Sequence, residues 1–211
     1  MKNKTRLAVF TLLLVLVLAF SGCGKSKKSS EGEKKITPNF YVYNTEEFTV
    51  VYEEKFDEKY YDEAELETMI DEELNEFNTK YVAEGNKGIE KASFNVANKK
   101  AILKLAFYSW NDYVTYASEY ISSDRNAKLF IGSYNEAVAA GYNFAGKFTT
   151  SDGKESYDVT TANDDVMVIY TNQGFKMDID GDIVAINENV SVKDGLTVTS
   201  ERRENYIIYK K

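Results

Sequence analysis

The spacing of apolar and polar positions changes period several times along the chain, and each change marks an element. Residues 47–54 (EFTVVYEE) concentrate Phe, Thr, Val and Tyr, which suit a pleated, half-buried surface, and predict a strand. From Asp62 the period becomes helical. Leu66, Met69, Ile70, Leu74, Phe77 and Tyr81 recur at three and four, and Asp62 stands three residues before Glu65, the spacing of a capping box. The other face carries Glu63, Glu67, Asp71, Glu72 and Glu76, crowded towards the amino end where the helix dipole favours negative charge. After Gly85 and Gly88 two more strands are expected, over 89–96 and 100–108, joined by Ala97-Asn98-Lys99 as a short hairpin connection. The second alternates cleanly, with Ala101, Leu103, Leu105 and Phe107 to one side. Ser109 with Asp112 opens a second helix whose inward stripe is Trp110, Tyr113, Val114, Ala117 and Ile121. Leu129-Phe130-Ile131 reads as a short strand, and Ser133, Glu136 and Gly141 bracket a third, brief helix over 134–140.

Strand, helix, strand, strand, helix, strand over 40–131 resembles the split βαβ order of ferredoxin-like folds. Such folds host many chemistries, so the resemblance implies no activity. Beyond residue 146 helix signals stop. The runs 166–170, 174–177, 183–187, 196–199 and 206–209 are strand-like, and Asp152-Gly153, Asp180-Gly181 and Asp194-Gly195 are dipeptides that suit tight hairpin turns. The expected class is α+β: a ferredoxin-like part (40–142), then antiparallel hairpins (146–211) packed on or extending the first sheet, within one domain over 40–211.

The amino-terminal stretch follows a different pattern. Lys2, Lys4 and Arg6 precede an apolar run over 7–20 in which only Thr11 is polar, the size of a signal-peptide core and too short to span a bilayer comfortably. Small residues and then Cys23 follow. Here the chain resembles a bacterial lipoprotein precursor, matching Phe20-Ser21-Gly22-Cys23 in three of four places, with Phe20 where the family usually has leucine. The resemblance implies a signal peptide over 1–22, diacylglyceryl modification of the Cys23 thiol, and anchoring on the extracytoplasmic side of the cell membrane. Cys23 is the single cysteine among 211 residues, so an intrachain disulfide has no partner. Residues 23–39 are polar, hold the one proline, Pro38, and read as a flexible tether with an r.m.s. reach of roughly 20 Å. The whole chain is also loosely similar to surface lipoproteins of Gram-positive bacteria, a likeness that carries no functional residues.

Charge and composition narrow the chemistry. The leader holds three of the 26 basic residues and none of the 34 acids, which leaves the remainder at a formal −11. That argues against a nucleic-acid partner, which needs a basic face to displace counterions. Histidine is absent, so Ser-His-Asp and Cys-His catalysis and histidine metal ligation are excluded. No cofactor is expected, and catalysis, if any, falls to carboxylate, Lys, Tyr, Ser or Thr side chains.

Four constellations could carry function. Asp178, Asp180 and Asp182 around Gly181 resemble the opening of a calcium loop, but glycine stands fourth instead of sixth and Asn189 occupies the twelfth position; a hairpin turn explains them as well. Ser151 and Lys154 have S-x-x-K spacing, yet Asp152-Gly153 between them breaks the helix that motif needs. Paired carboxylates could hydrolyse glycans, although acids this numerous pair by chance. Trp110, Tyr116 and Tyr120 could present an aromatic ligand surface for sugars or peptides, or pack into the core with hydroxyls at the rim. The function expected is a non-catalytic binding or scaffolding module at the cell envelope, held to the membrane through Cys23, with an envelope glycan or protein as partner. An envelope glycan hydrolase is the alternative, and a receptor subunit for a transporter a third.

Overall fold

The computed structural model describes residues 39–43, 47–121, 125–162, 166–193, 195–201 and 203–211. The expected signal peptide, Cys23 and the tether up to Pro38 lie outside them. Twelve strands and three helices are described: β1 Asn39–Val42, β2 Phe48–Lys55, α1 Glu63–Tyr81, β3 Glu90–Ala97, β4 Lys100–Phe107, α2 Trp110–Tyr120, β5 Leu129–Ser133, α3 Tyr134–Ala139, β6 Phe148–Thr150, β7 Val166–Thr171, β8 Phe175–Ile179, β9 Asp182–Asn187, β10 Ser191–Lys193, β11 Thr197–Ser200 and β12 Asn205–Lys210. The class is α+β. Among the described residues no helix is long and apolar enough to cross a membrane.

The strands form two sheets, one of order β10-β11-β8-β1-β2-β4-β3 and one of order β5-β7-β12-β9-β6. The part over 40–142 and the part over 146–211 are therefore interleaved, since β8, β10 and β11 extend the first sheet while β6, β7, β9 and β12 build the second with β5. The split βαβ expectation is met by three strands and fails at the fourth. β4 lies between β2 and β3 and runs antiparallel to both, so β2-α1-β3 is a βαβ unit with β4 inserted. The fourth strand, β5, leaves for the second sheet, and β1 takes the place beside β2. The reason is burial on both faces. Leu129 and Ile131 of β5 enter one core and Phe130 the other, whereas the first sheet turns its outer face towards solvent and has nothing there to cover Phe130.

The larger core is shared by both sheets and both long helices. It takes Phe40, Val50, Leu103, Leu105, Phe107 and Met177 from the first sheet, Ile131, Ile169 and Ile207 from the second, and Leu66, Ile70, Leu74 and Phe77 from α1. A smaller core covers the far face of the second sheet, where Val168, Tyr170, Tyr206 and Ile208 pack against Ala137 of α3, Phe148 and Val159. Covered twice, β7 is buried along its whole length, and 166–170 of it read as an unbroken apolar run.

Local signals placed the helix starts correctly. Asp62 caps α1 and accepts the Glu65 N–H, Ser109 caps α2 and accepts the Asn111 N–H, and Ser133 with Glu136 forms a full capping box on α3. Asn98 and Lys99, both with positive φ, close β3 onto β4. Asp180-Gly181 is a correction. β8 and β9 do not pair, and the dipeptide instead carries the chain from one sheet to the other. Gly181 is required there by close approach, because a Cβ would stand 2.5 Å from the Lys210 carbonyl oxygen.

Candidate functional site

Trp110, Tyr116 and Tyr120 do not form an open aromatic surface. Tyr116 is 3 % exposed, Tyr120 is buried, and both stack within the larger core at a centroid distance of 5.3 Å. The Tyr116 hydroxyl donates to Glu73 Oε1 at 2.6 Å, and both residues are buried between α1 and α2. Desolvation first, and then the Glu73 carboxyl, holds the Tyr116 phenol well above the ordinary tyrosine range. Trp110 is partly buried and packs on Phe130. The correction follows from the helix rotation: the buried face of α2 runs through Tyr113, Tyr116, Ala117 and Tyr120, which turns the tyrosines inward.

The other sequence candidates stay apart. Asp178 lies on β8 and accepts the Thr197 hydroxyl at 2.7 Å, while Asp180 and Asp182 are exposed around the crossing between sheets. Among the described residues no three carboxyl groups converge as a metal site. Lys154 folds back onto Asp152 Oδ2 at 2.9 Å in a turn, where Gly153 has φ +71°, and not onto the Ser151 hydroxyl along a helix.

What the fold does assemble is a cleft of about 590 Å³ lined by Glu47, Asn86, Lys87, Tyr108, Ser109, Asp112 and Lys211. It lies at the end of the first sheet where β1 finishes, β2 begins and β4 leads into α2. Four separate stretches meet there. Phe48 pairs with Phe107, which sets Glu47 near Tyr108. The Ser109 cap starts α2 at the rim and turns Asp112 into its first turn. The loop holding Asn86 and Lys87 is fixed by Asn78 of α1, whose amide donates to the Ile89 carbonyl at 2.9 Å and accepts the Ile89 N–H at 2.8 Å. Only glycine fits between them, since a Cβ on Gly88 would stand 2.1 Å from Asn78 Oδ1.

The electrostatics are mixed. Lys87 Nζ rests 4.4 Å from the Tyr108 ring centroid, a cation–π contact that holds the ammonium against the wall. The Tyr108 hydroxyl donates to Glu90 Oε2 at 2.6 Å and, chiefly through that bond, is pushed up to about 12. The Asp112 carboxyl is raised above the usual aspartate range, with desolvation its single cause. The lining thus includes two acidic residues, two lysines and a phenol that stays neutral. Sequence reading placed Asp112 only as a capping partner and Tyr108 only as a strand end. The long-range pairing of β2 with β4 and the Asn78 clamp bring them together, and neither leaves a local motif. Comparison of the chain with protein-family models, with curated proteins and with solved structures finds no match in any of the three.

Proposed function

We propose that this protein is a lipid-anchored extracytoplasmic binding module, exported by its leader, held to the membrane through Cys23, and presenting the cleft as its ligand site. What carries the reading is the direction of β1. The tether joins at Asn39, opposite Val51 in the middle of β2, and β1 runs from there towards Phe48 and the cleft. An anchor joined before β1 would attach at the end of the strand opposite the cleft, which supports a cleft left accessible to ligands.

The test is metabolic labelling with a palmitate analogue followed by membrane fractionation. Wild type is expected to label and sediment with membranes, and Cys23→Ala to do neither; an unlabelled wild type refutes the anchor.

A second reading has one observation in its favour. A glycosidase works through two carboxyl groups flanking the scissile bond, and the cleft lining holds two, Asp112 and Glu47. Turnover of envelope glycans by the wild type, abolished in Asp112→Asn with ligand binding retained, would replace binding with hydrolysis.

A further inference from the structure

We propose that β3 is a self-association edge, to which a second copy of this chain adds its own β3 antiparallel and so joins two first sheets into one. Among the described residues the two sheets end in β10, β3, β5 and β6. β10 and β6 are three residues each, and β5 is buried at four of its five positions. β3 has eight residues, each half-buried or exposed. Natural edges are guarded by shortness, charge, proline or a bulge, because a row of unpaired N–H and C=O groups recruits another strand. In β3 those guards stop halfway. Glu90 and Lys91 carry charge and a bulge lies between Lys91 and Ser93, whereas Ser93-Phe94-Asn95-Val96-Ala97 is regular in register, uncharged and free of proline.

The turn fixes which backbone groups of that run face outward. Asn98 and Lys99, with φ of 53° and 63°, close a two-residue hairpin that makes Ala97 and Lys100 a hydrogen-bonded pair. Alternation then turns the N–H and C=O of Ser93, Asn95 and Ala97 towards β4 and points those of Phe94 and Val96 off the sheet. Among the described residues no other strand or loop takes them up.

A two-fold pairing that uses the whole regular run centres on Asn95. Phe94 of one copy then exchanges both backbone bonds with Val96 of the other, twice over by symmetry. On the core side each Phe94 ring meets a Val96 side chain, an aromatic–β-branched pair. Both residues are partly buried at the fringe of the larger core, so pairing covers what the edge leaves open. On the outer face Ser93 stands opposite Ala97 and Asn95 opposite itself, and no like charges are opposed. Each hairpin tip, with Lys99 and Lys100, comes beside the amino end of the other copy's β3, where Glu90 begins the strand; the flanking charges are of opposite sign. On α1, Glu67 and Asp71 reach this strand and are already held by Lys91 at 2.8 and 2.7 Å. Any other register runs the pairing into the bulge at one end or the turn at the other.

The experiment uses the full chain in detergent micelles with Cys23→Ala, so that an introduced cysteine is the sole thiol. At a non-hydrogen-bonded antiparallel pair the Cα atoms stand about 4.5 Å apart, within disulfide range. Asn95→Cys is therefore expected to oxidise to a covalent dimer. Ser93→Cys is expected not to, since the same residue of the other copy lies four positions along the strand, about 13 Å away. Adding Ala97→Cys to Ser93→Cys restores the crosslink. Sedimentation equilibrium, in salt that screens the net negative charge of both copies, should show a reversible dimer. Asn95→Lys sets two ammonium groups opposite each other and should weaken it by roughly fivefold. Val96→Pro removes an outward N–H from each copy, leaves the bonds to β4 in place, and should abolish the dimer with circular dichroism unchanged. A protein that stays monomeric up to about 100 µM overturns the proposal. So does Ser93→Cys crosslinking as readily as Asn95→Cys, or a dimer indifferent to both Asn95→Lys and Val96→Pro. Labelling of Cys23 in the wild type reads the anchor independently of these results.

Discussion

Deleting one hydroxyl from the core should have opposite effects at two buried tyrosines. Tyr116 is 3 % exposed and donates to Glu73 Oε1 at 2.6 Å, and Glu73 is 8 % exposed. Tyr209 is 0 % exposed, and its hydroxyl finds no hydrogen-bond partner among the described residues. Phenylalanine keeps the ring and its packing in both places. In Tyr116→Phe the Glu73 carboxyl loses a short buried donor, a loss of about 1.5–3 kcal/mol for a bond to a charged group. In Tyr209→Phe an unsatisfied hydroxyl is removed along with its desolvation cost, so stability should hold or rise by about 1 kcal/mol. For a chain of this size each kcal/mol moves the midpoint by about 2–4 °C. Tyr116→Phe should therefore melt roughly 3–12 °C low and Tyr209→Phe at or slightly above wild type, followed by circular dichroism and by urea titration. The double change Glu73→Leu with Tyr116→Phe should recover much of the loss, because it removes both polar partners together. Equal destabilisation by the two single substitutions would sink the argument, since it would mean that the hydroxyl's surroundings do not matter.

Other consequences concern pH and the frame of the cleft. Tyr209 is pushed up to about 12 by burial, so its contribution is whole below pH 10 and is lost as pH rises towards 12, at about 1.4 kcal/mol per unit for this residue alone. Tyrosinate absorbance near 295 nm should accordingly rise in two stages, the second coincident with loss of circular dichroism; a single non-cooperative rise centred on pH 10 contradicts it. Asp112 is raised by desolvation, so its contribution is present when protonated and lost as pH rises through its folded value. Asp112→Asn should stabilise the protein near neutral pH by no more than ~1 kcal/mol, given the partial solvation of the site, and the difference from wild type should vanish in acid, as urea titrations at both pH values would show. Gly88→Ala sets a Cβ against the Asn78 amide and should lose about 1–3 kcal/mol with the paired hydrogen bonds to Ile89, with amide exchange at Ile89 rising well above wild type. Unchanged exchange there would mean that the clamp does not hold the loop.

Elements governed by their own few residues were legible in the chain. Asp62, Ser109 and Ser133 announce helix starts because a capping side chain reaches backbone N–H groups only two or three residues away, and Asn98-Lys99 announces a hairpin because the turn closes on itself. The apolar stripe of α1 and the alternation of β4 likewise follow from the period of a helix and of a strand, which no distant contact alters. The proposed address of the protein is of the same kind, resting wholly on the leader and Cys23. Tertiary structure decided the remainder. A strand buried on both faces, such as β5 or β7, looks the same in sequence whichever sheet receives it, so the loss of β5 from the ferredoxin-like order could not be seen. β1 is four residues long and exists because β2 and β8 supply hydrogen bonds on both sides. The rotation that sends Tyr116 inward to meet Glu73 is set by packing between two helices. The cleft belongs to this second group: its charges come from stretches far apart in the chain, and only the pairing of β2 with β4 and the hold of Asn78 on Ile89 make them neighbours.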